Sequence, residues 1–256
     1  MLELFGWALA AAAGLTTLVW VLSLAKKDAG IIDIFWGLGF VLVAWIGFFN
    51  TAGFTARKVL VVGLVTAWGV RLALHIFVRS LGKGEDYRYR EMRDKRPGTF
   101  WIWSLFGVFW LQALILWFVS APLLAAQYAA GPARWTWLDG AGAVLFLTGF
   151  LFEAVGDWQL ARFKSDPDNR GKVMNTGLWR YTRHPNYFGD ALVWWGLFLI
   201  ALSTGAWWTV VSPLVMTFLL MKVSGVALLE KSLAEKKPEY RDYVLRTNAF
   251  FPGKPR

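Results

Sequence analysis

Residues 177–190 read GLWRYTRHPNYFGD, and an uncharged run begins directly after them at Ala191. The types gathered there have a definite chemistry. Arginines such as Arg180 and Arg183 grip phosphate as rigid forks. Carboxylates and asparagine accept hydrogen bonds from ribose hydroxyls and amides. The rings of Trp179, Tyr181 and Tyr187 can stack on a base. Upstream, Glu153 and Asp157 stand four apart and share one face of a helix. With Asp190 just past the motif, two acidic faces address the same basic loop. A polar cavity holding both charge signs suits a zwitterionic, phosphate-bearing ligand. No Gly-x-Gly-x-x-Gly follows a strand and no P-loop is present, so a nucleotide would be held without either unit. The chain has no cysteine and two histidines, His75 and His184. It therefore lacks disulfides, thiolate nucleophiles and a His-rich metal centre.

These residues must be positioned by an apolar scaffold. Of 256 residues, 57% are hydrophobic and only 17% charged, with 17 Trp and 20 Phe. Soluble domains average roughly 25% charged residues. Residues 4–25, 34–56, 59–70, 100–133 and 191–221 contain no Asp, Glu, Lys or Arg, and a membrane span needs about 20 apolar residues. The first run follows Glu3 and precedes Lys26 and Lys27, the reverse of a signal peptide, so it reads as a retained span. The expectation is an all-α integral membrane bundle of seven transmembrane helices. They are placed at about 3–25, 31–50, 58–79, 102–128, 137–160, 187–203 and 206–228, with a turn at Ser203-Thr204-Gly205. A single long bent helix over the last pair is the competing reading. A short amphipathic stretch, Leu229 to Leu245, would lie at the interface.

Charge orients this layout. With the N-terminus outside and the C-terminus cytoplasmic, 22 of the 27 Lys and Arg fall in the inner segments at 26–27, 79–99, 161–186 and from 229 onward. Arg57, Lys58 and Arg134 form the outer set, and Arg71 and Lys222 lie inside spans. That asymmetry obeys the positive-inside rule, and the net charge of +10 attracts anionic lipid. Nothing resembles a base-reading module, so nucleic acid is not an expected partner. The inner loops interleave cations with acids and rings, as in KGEDYRYREMRDKRPG, a mixture that a lipid tether does not need. Ionisable groups inside spans cost roughly 2.5–3.5 kcal/mol at a helix centre. Asp33, in GIIDIFWG, and the i, i+4 pair Arg71 and His75 are such groups. Internal pairing, for example Arg71 with Asp33, is the alternative to a functional role.

The run NTGLWRYTRHPNYFGD (Asn175 to Asp190), followed by EKSLAEKKPEYRDY (Glu230 to Tyr243) and a closing Phe-Pro, resembles the C-terminal part of the steroid 5-alpha-reductase superfamily. The likeness is greatest to its small bacterial members. Sterol C14 reductases and isoprenylcysteine carboxyl methyltransferases share that architecture. It covers roughly residues 150–252. Asp33, Trp36 and Gly37, and the run Gly84 to Tyr89, match bacterial members more loosely. The resemblance implies one membrane domain, about 1–130 lining the substrate and about 137–256 binding NADPH at the cytoplasmic side of a bacterial inner membrane. By position, Glu153 and Asp157 would meet the cofactor, although animal enzymes tend to carry Asn at the first. Asn186, Tyr187 and Asp190 fall on the nucleotide-contacting segment. Arg180, Arg183 and His184 fall at the phosphates, with Lys164, Arg170, Asn175 and Tyr181 as further candidates from the same loop. Tyr240 and Tyr243 match the C-terminal aromatic positions.

The implied reaction is hydride transfer to the β-carbon of a conjugated, apolar enone, most like a 3-oxo-4-ene steroid, while an acid polarises the ketone. The animal enzymes use a Glu and a Tyr from N-terminal helices, a pair without a clear match here. Asp33, the carboxylate within the second span, is the candidate on the acid side, with Tyr87 and Tyr89 as candidates for the phenol. The second reading is an S-adenosylmethionine-dependent methyltransferase of the isoprenylcysteine type, since Arg-His-Pro-Asn-Tyr occurs in both branches. The many cations suit a cofactor with about four negative charges better. A transporter would show inverted repeats or broken mid-membrane helices, neither of which the hydropathy pattern displays.

Overall fold

The computed structural model describes residues 1–223 and 239–255. It is helical, with no strand among the described residues. The elements are α1 (Leu2–Lys26), α2 (Ile31–Phe49), α3 (Thr55–Ser80), α4 (Tyr87–Asp94), α5 (Phe100–Tyr128), α6 (Trp137–Ser165), α7 (Pro185–Leu202), α8 (Trp207–Val223) and α9 (Glu239–Arg246). Five of them, α1, α2, α3, α5 and α6, are long and apolar enough to cross a membrane. Their ends lie within three residues of the expected spans, except that α6 runs five residues further, to Ser165. α7 opens on a polar turn, and α8 is apolar but shorter. The chain turns between them at Ser203–Gly205, where Gly205 takes φ 83°. Of the expected interfacial stretch, 229–238 lies outside the described residues, and α9 carries the remainder.

The chain forms two compact units, Met1–Thr136 with Ala201–Thr209 and Trp137–Ile200 with Val210–Arg256. In the first, Asp28 Oδ1 accepts the Gly30 N–H at 2.8 Å, an Asx turn that reverses the chain between α1 and α2. α2 then meets α3 at glycine: a Cβ on Gly37 would sit 2.6 Å from the Gly69 oxygen. Without side chains there, the two backbones approach closely, as small residues allow between membrane helices. α5 is irregular, with a π-helical segment at Leu105–Trp110 and Pro122 near the start of its last stretch. Arg57 and Lys58, expected in an outer loop, lie in the first turns of α3 and are 0% and 8% exposed. Arg57 donates to the carbonyls of Pro132 and Arg134, each at 3.2 Å. Protein buries these two cations, a fact that loop counting misses.

In the second unit, glycines recur every seven residues on facing helices. Gly142 and Gly149 of α6 lie against Gly196 and Gly189 of α7, with hypothetical Cβ-to-oxygen distances of 2.6 and 2.5 Å. Gly156, next in the series, packs against Pro185. Pro185 suits the first helical position because its ring fixes φ and it has no N–H to leave unpaired. This ladder brings the acids of α6 beside the first turn of α7.

Candidate functional site

The first polar constellation is built on α2, α4 and α5. Asp33, in the first turn of α2, accepts from Arg88 Nη2 at Oδ2 and from Tyr89 Oη at Oδ1, both at 2.6 Å. Gln112 of α5 donates to the same phenol oxygen at 3.3 Å. α4 is started by Asp86, whose carboxylate accepts the Arg88 N–H at 3.0 Å as an N-cap and also the Arg88 Nε–H at 2.9 Å. The cap thus aims the guanidinium at Asp33. The Tyr89 ring is buried among Val19, Ile32, Phe100 and Phe109. Burial, and then the Asp33 charge, push its phenol well above the ordinary value. Burial alone would disfavour the charge on Arg88, but Asp33 and Asp86 more than restore it.

Glu85 fastens this segment to the α1–α2 turn. It accepts the Ala29 N–H at 2.8 Å and a fork from Arg93 at 3.0 and 2.7 Å. Burial would raise its carboxyl, but those bonds and the charges of Arg93 and Arg90 outweigh it and hold the group below its ordinary value. Arg93 and Arg96 lie over the rings of Phe100 and Trp103 at 4.4 and 3.7 Å. Of the expected catalytic candidates, Asp33 and Tyr89 are brought together. Tyr87 is exposed on the other face of α4. The pairing of Asp33 with Arg71 does not occur; Asp33 is held by Arg88, which the cap directs to it. Sequence reading also passed over Gln112. Its only signal was an amide in an otherwise apolar stretch.

The second constellation lies in the other unit. Glu153 and Asp157 are buried on α6, and Asn186 donates to Asp157 Oδ1 at 3.0 Å. His184 is buried and stacked on Tyr187, with ring centroids 5.5 Å apart and planes 7° from parallel. Asp190 follows one turn later on α7. The 161–186 segment is registered on α6 by two bonds: Trp179 Nε1 donates to the Gly156 carbonyl, and Gln159 accepts the Leu178 N–H, both at 3.0 Å. Lys164, Arg170, Asn175, Arg180 and Tyr181 are exposed along this segment.

Three expected ligand contacts are engaged with the C-terminal segment. Arg183 is buried and donates to the Val244 carbonyl at 3.1 Å and to the Thr247 carbonyl. These belong to the end of α9, where a cation also answers the helix dipole. Tyr243 Oη donates to the Trp179 carbonyl, and its ring meets Tyr240 edge-on at 5.8 Å. Thr182 donates to the Phe250 carbonyl at 2.8 Å, and Gly253 N–H to that of Tyr181 at 3.0 Å. Residues 239–253 are thereby knitted onto 179–183. No group of three or more metal-ligating side chains occurs among the described residues.

Long apolar helices with two buried polar clusters define a helical membrane protein with ionisable sites of its own. The chain belongs to the DUF1295 family, described as protein of unknown function, whose model matches residues 19–247. An uncharacterized protein of Schizosaccharomyces pombe is 27% identical over 93% of this chain and 76% of its own length. A cobalt-zinc-cadmium resistance protein of Cupriavidus metallidurans is 29% identical over 54% of this chain and 62% of its own. A nickel-cobalt-cadmium resistance protein of Alcaligenes xylosoxydans xylosoxydans is 27% identical over 54% and 63%. No solved structure matches.

Proposed function

We propose that this protein is an NADPH-dependent reductase of a conjugated carbon–carbon double bond in an apolar enone, with a 3-oxo-4-ene steroid the substrate class that the resemblance favours. The observation that carries the reading is the Tyr89 hydroxyl donating to Asp33 at 2.6 Å within an apolar cluster. A buried phenol kept protonated at neutral pH is a hydrogen-bond donor suited to a developing enolate. Asp33 is the acceptor in this pair. Arg88 compensates its charge, so the carboxylate orients the phenol and Tyr89 is the acid. When a carbonyl oxygen arrives, the hydroxyl proton turns from Asp33 to it, and the enolate charge is met by that donor. A proton from solvent then adds at the α-carbon of that enolate, completing the saturated ketone, and the Tyr89 hydroxyl turns back to Asp33 with its own proton.

The donor set of the second unit fits a dinucleotide. Asp157, Glu153 and Asn186 present the acceptors that ribose hydroxyls need, the His184–Tyr187 stack offers a flat face, and exposed Lys164, Arg170 and Arg180 offer cations for phosphates. NADPH bound there would supply the hydride. Arg183, Tyr240 and Tyr243 serve this site indirectly, by fastening the C-terminal segment. We further propose seven spans with the N-terminus outside, the basic loops and cofactor site facing the cytoplasm, and residence in a bacterial inner membrane. The test is NADPH oxidation by the purified protein across a panel of apolar enones. Enone-dependent oxidation, slowed roughly 10²–10⁴-fold in Tyr89→Phe, is expected. No oxidation with any enone overturns the reading.

A further inference from the structure

We propose that a groove between α2 and α3 binds an anionic phospholipid, with an acyl chain along the groove and the headgroup phosphate at Lys58. The groove holds about 450 Å³ and is lined by Trp45, Phe48, Val59, Val62, Gly63 and Thr66, a volume in the range of ligand pockets. Its wall is apolar apart from Thr66, whose buried hydroxyl oxygen has no hydrogen-bond partner. At Gly63 the wall is open, since an added Cβ would meet nothing within 4 Å.

Charge selects the occupant. Lys58 is 8% exposed, and its ammonium lies 4.9 Å over the ring of Phe48, a groove residue. It donates to the Thr51 carbonyl at 2.5 Å. Among the described residues no carboxylate pairs with it. An ammonium has three donors, and a buried charge without an anion is costly. The setting compounds that cost: Lys58 sits near the N-terminus of α3, where the dipole favours negative charge, and the first turn of α3 carries no acid. A phosphate there answers the cation and the helix end together. Trp45 and Phe48 stand near the far end of α2 from Asp33, as an aromatic belt at a membrane edge would.

The test is native mass spectrometry of the full chain from detergent containing equal phosphatidylglycerol and phosphatidylcholine. One retained phosphatidylglycerol, preferred over phosphatidylcholine, is expected. Lys58→Gln should lower that preference roughly tenfold or more, as loss of a charge-assisted bond does, and Lys58→Arg should keep it. Gly63→Phe should fill the groove and lose the lipid while the protein stays folded. Because it adds bulk only to open space, it carries the test if Lys58→Gln fails to fold. Equal retention of both lipids, an unchanged preference in Lys58→Gln, or retention in Gly63→Phe overturns the proposal. Displacement of the lipid by inorganic phosphate would also overturn it, by showing an ion site that needs no chain.

Discussion

Gly149→Ala tests how the acidic cluster of the second unit is positioned. An added Cβ lies 2.5 Å from the Gly189 oxygen and 2.7 Å from the Val193 nitrogen. Both are backbone atoms, so no side-chain rotation clears them. Ordinary contact begins at 3.4 Å, so α6 and α7 must part by about 0.9 Å, the difference from 2.5 Å. Asp157 lies about two turns further along α6. The same displacement there stretches the 3.0 Å bond from Asn186 to about 3.9 Å, past hydrogen-bond range. Overpacking of this kind costs about 1–3 kcal/mol. In a chain of this size that lowers the melting temperature by roughly 2–12 °C. Gly140→Ala, on the same helix, is the control: its Cβ meets nothing within 4 Å, and alanine stabilises a helix by roughly 0.5–1 kcal/mol over glycine. Thermal unfolding in detergent should therefore move in opposite directions for the two variants. Equal shifts of one sign would refute the glycine contact as the cause.

Three further outcomes are expected. Tyr89→Phe should lower kcat for enone reduction by roughly 10²–10⁴-fold, the worth of a positioned general acid, with a much smaller change in KM. Acidification should release the 84–96 segment: Glu85 is held below its ordinary 4.5, so its clamp is complete above that pH and is lost as pH falls through the lower folded value. Hydrogen exchange of that segment at stepped pH, with Glu85→Gln already released at neutral pH, checks the sign. Arg183→Ala should free residues 239–253 to proteolysis, because the carbonyls of Val244 and Thr247 lose their donor. Unchanged proteolysis would remove Arg183 from that fastening.

Helix positions were legible because hydrocarbon enforces long uncharged runs: α1, α2, α3 and α5 overlie such runs, while α6 carries Asp139, Glu153 and Asp157 and was legible from its apolar stretch between them. Asp33 and Tyr89 were visible separately, as an acid in a span and a ring in a basic loop. Their partnership was not, because it depends on the Asp86 cap turning Arg88 and Tyr89 of α4 toward α2. Arg183 looked like a phosphate ligand by residue type, yet its engagement with the end of α9 is set by backbone carbonyls, which leave no mark on residue types. The seven-residue glycine spacing at 142, 149 and 156, matched by 189 and 196, was in plain view. It becomes meaningful once α6 and α7 are known to face each other.

The most direct measurement is the melting temperature of the detergent-solubilised protein with NADPH, NADH or S-adenosylmethionine added singly. A ligand at about 100 times its Kd stabilises by about 2.7 kcal/mol, or roughly 5–10 °C here. A rise with NADPH, smaller with NADH and absent with the sulfonium compound, is the expected result. A rise with S-adenosylmethionine alone would contradict the reductase and favour methyl transfer.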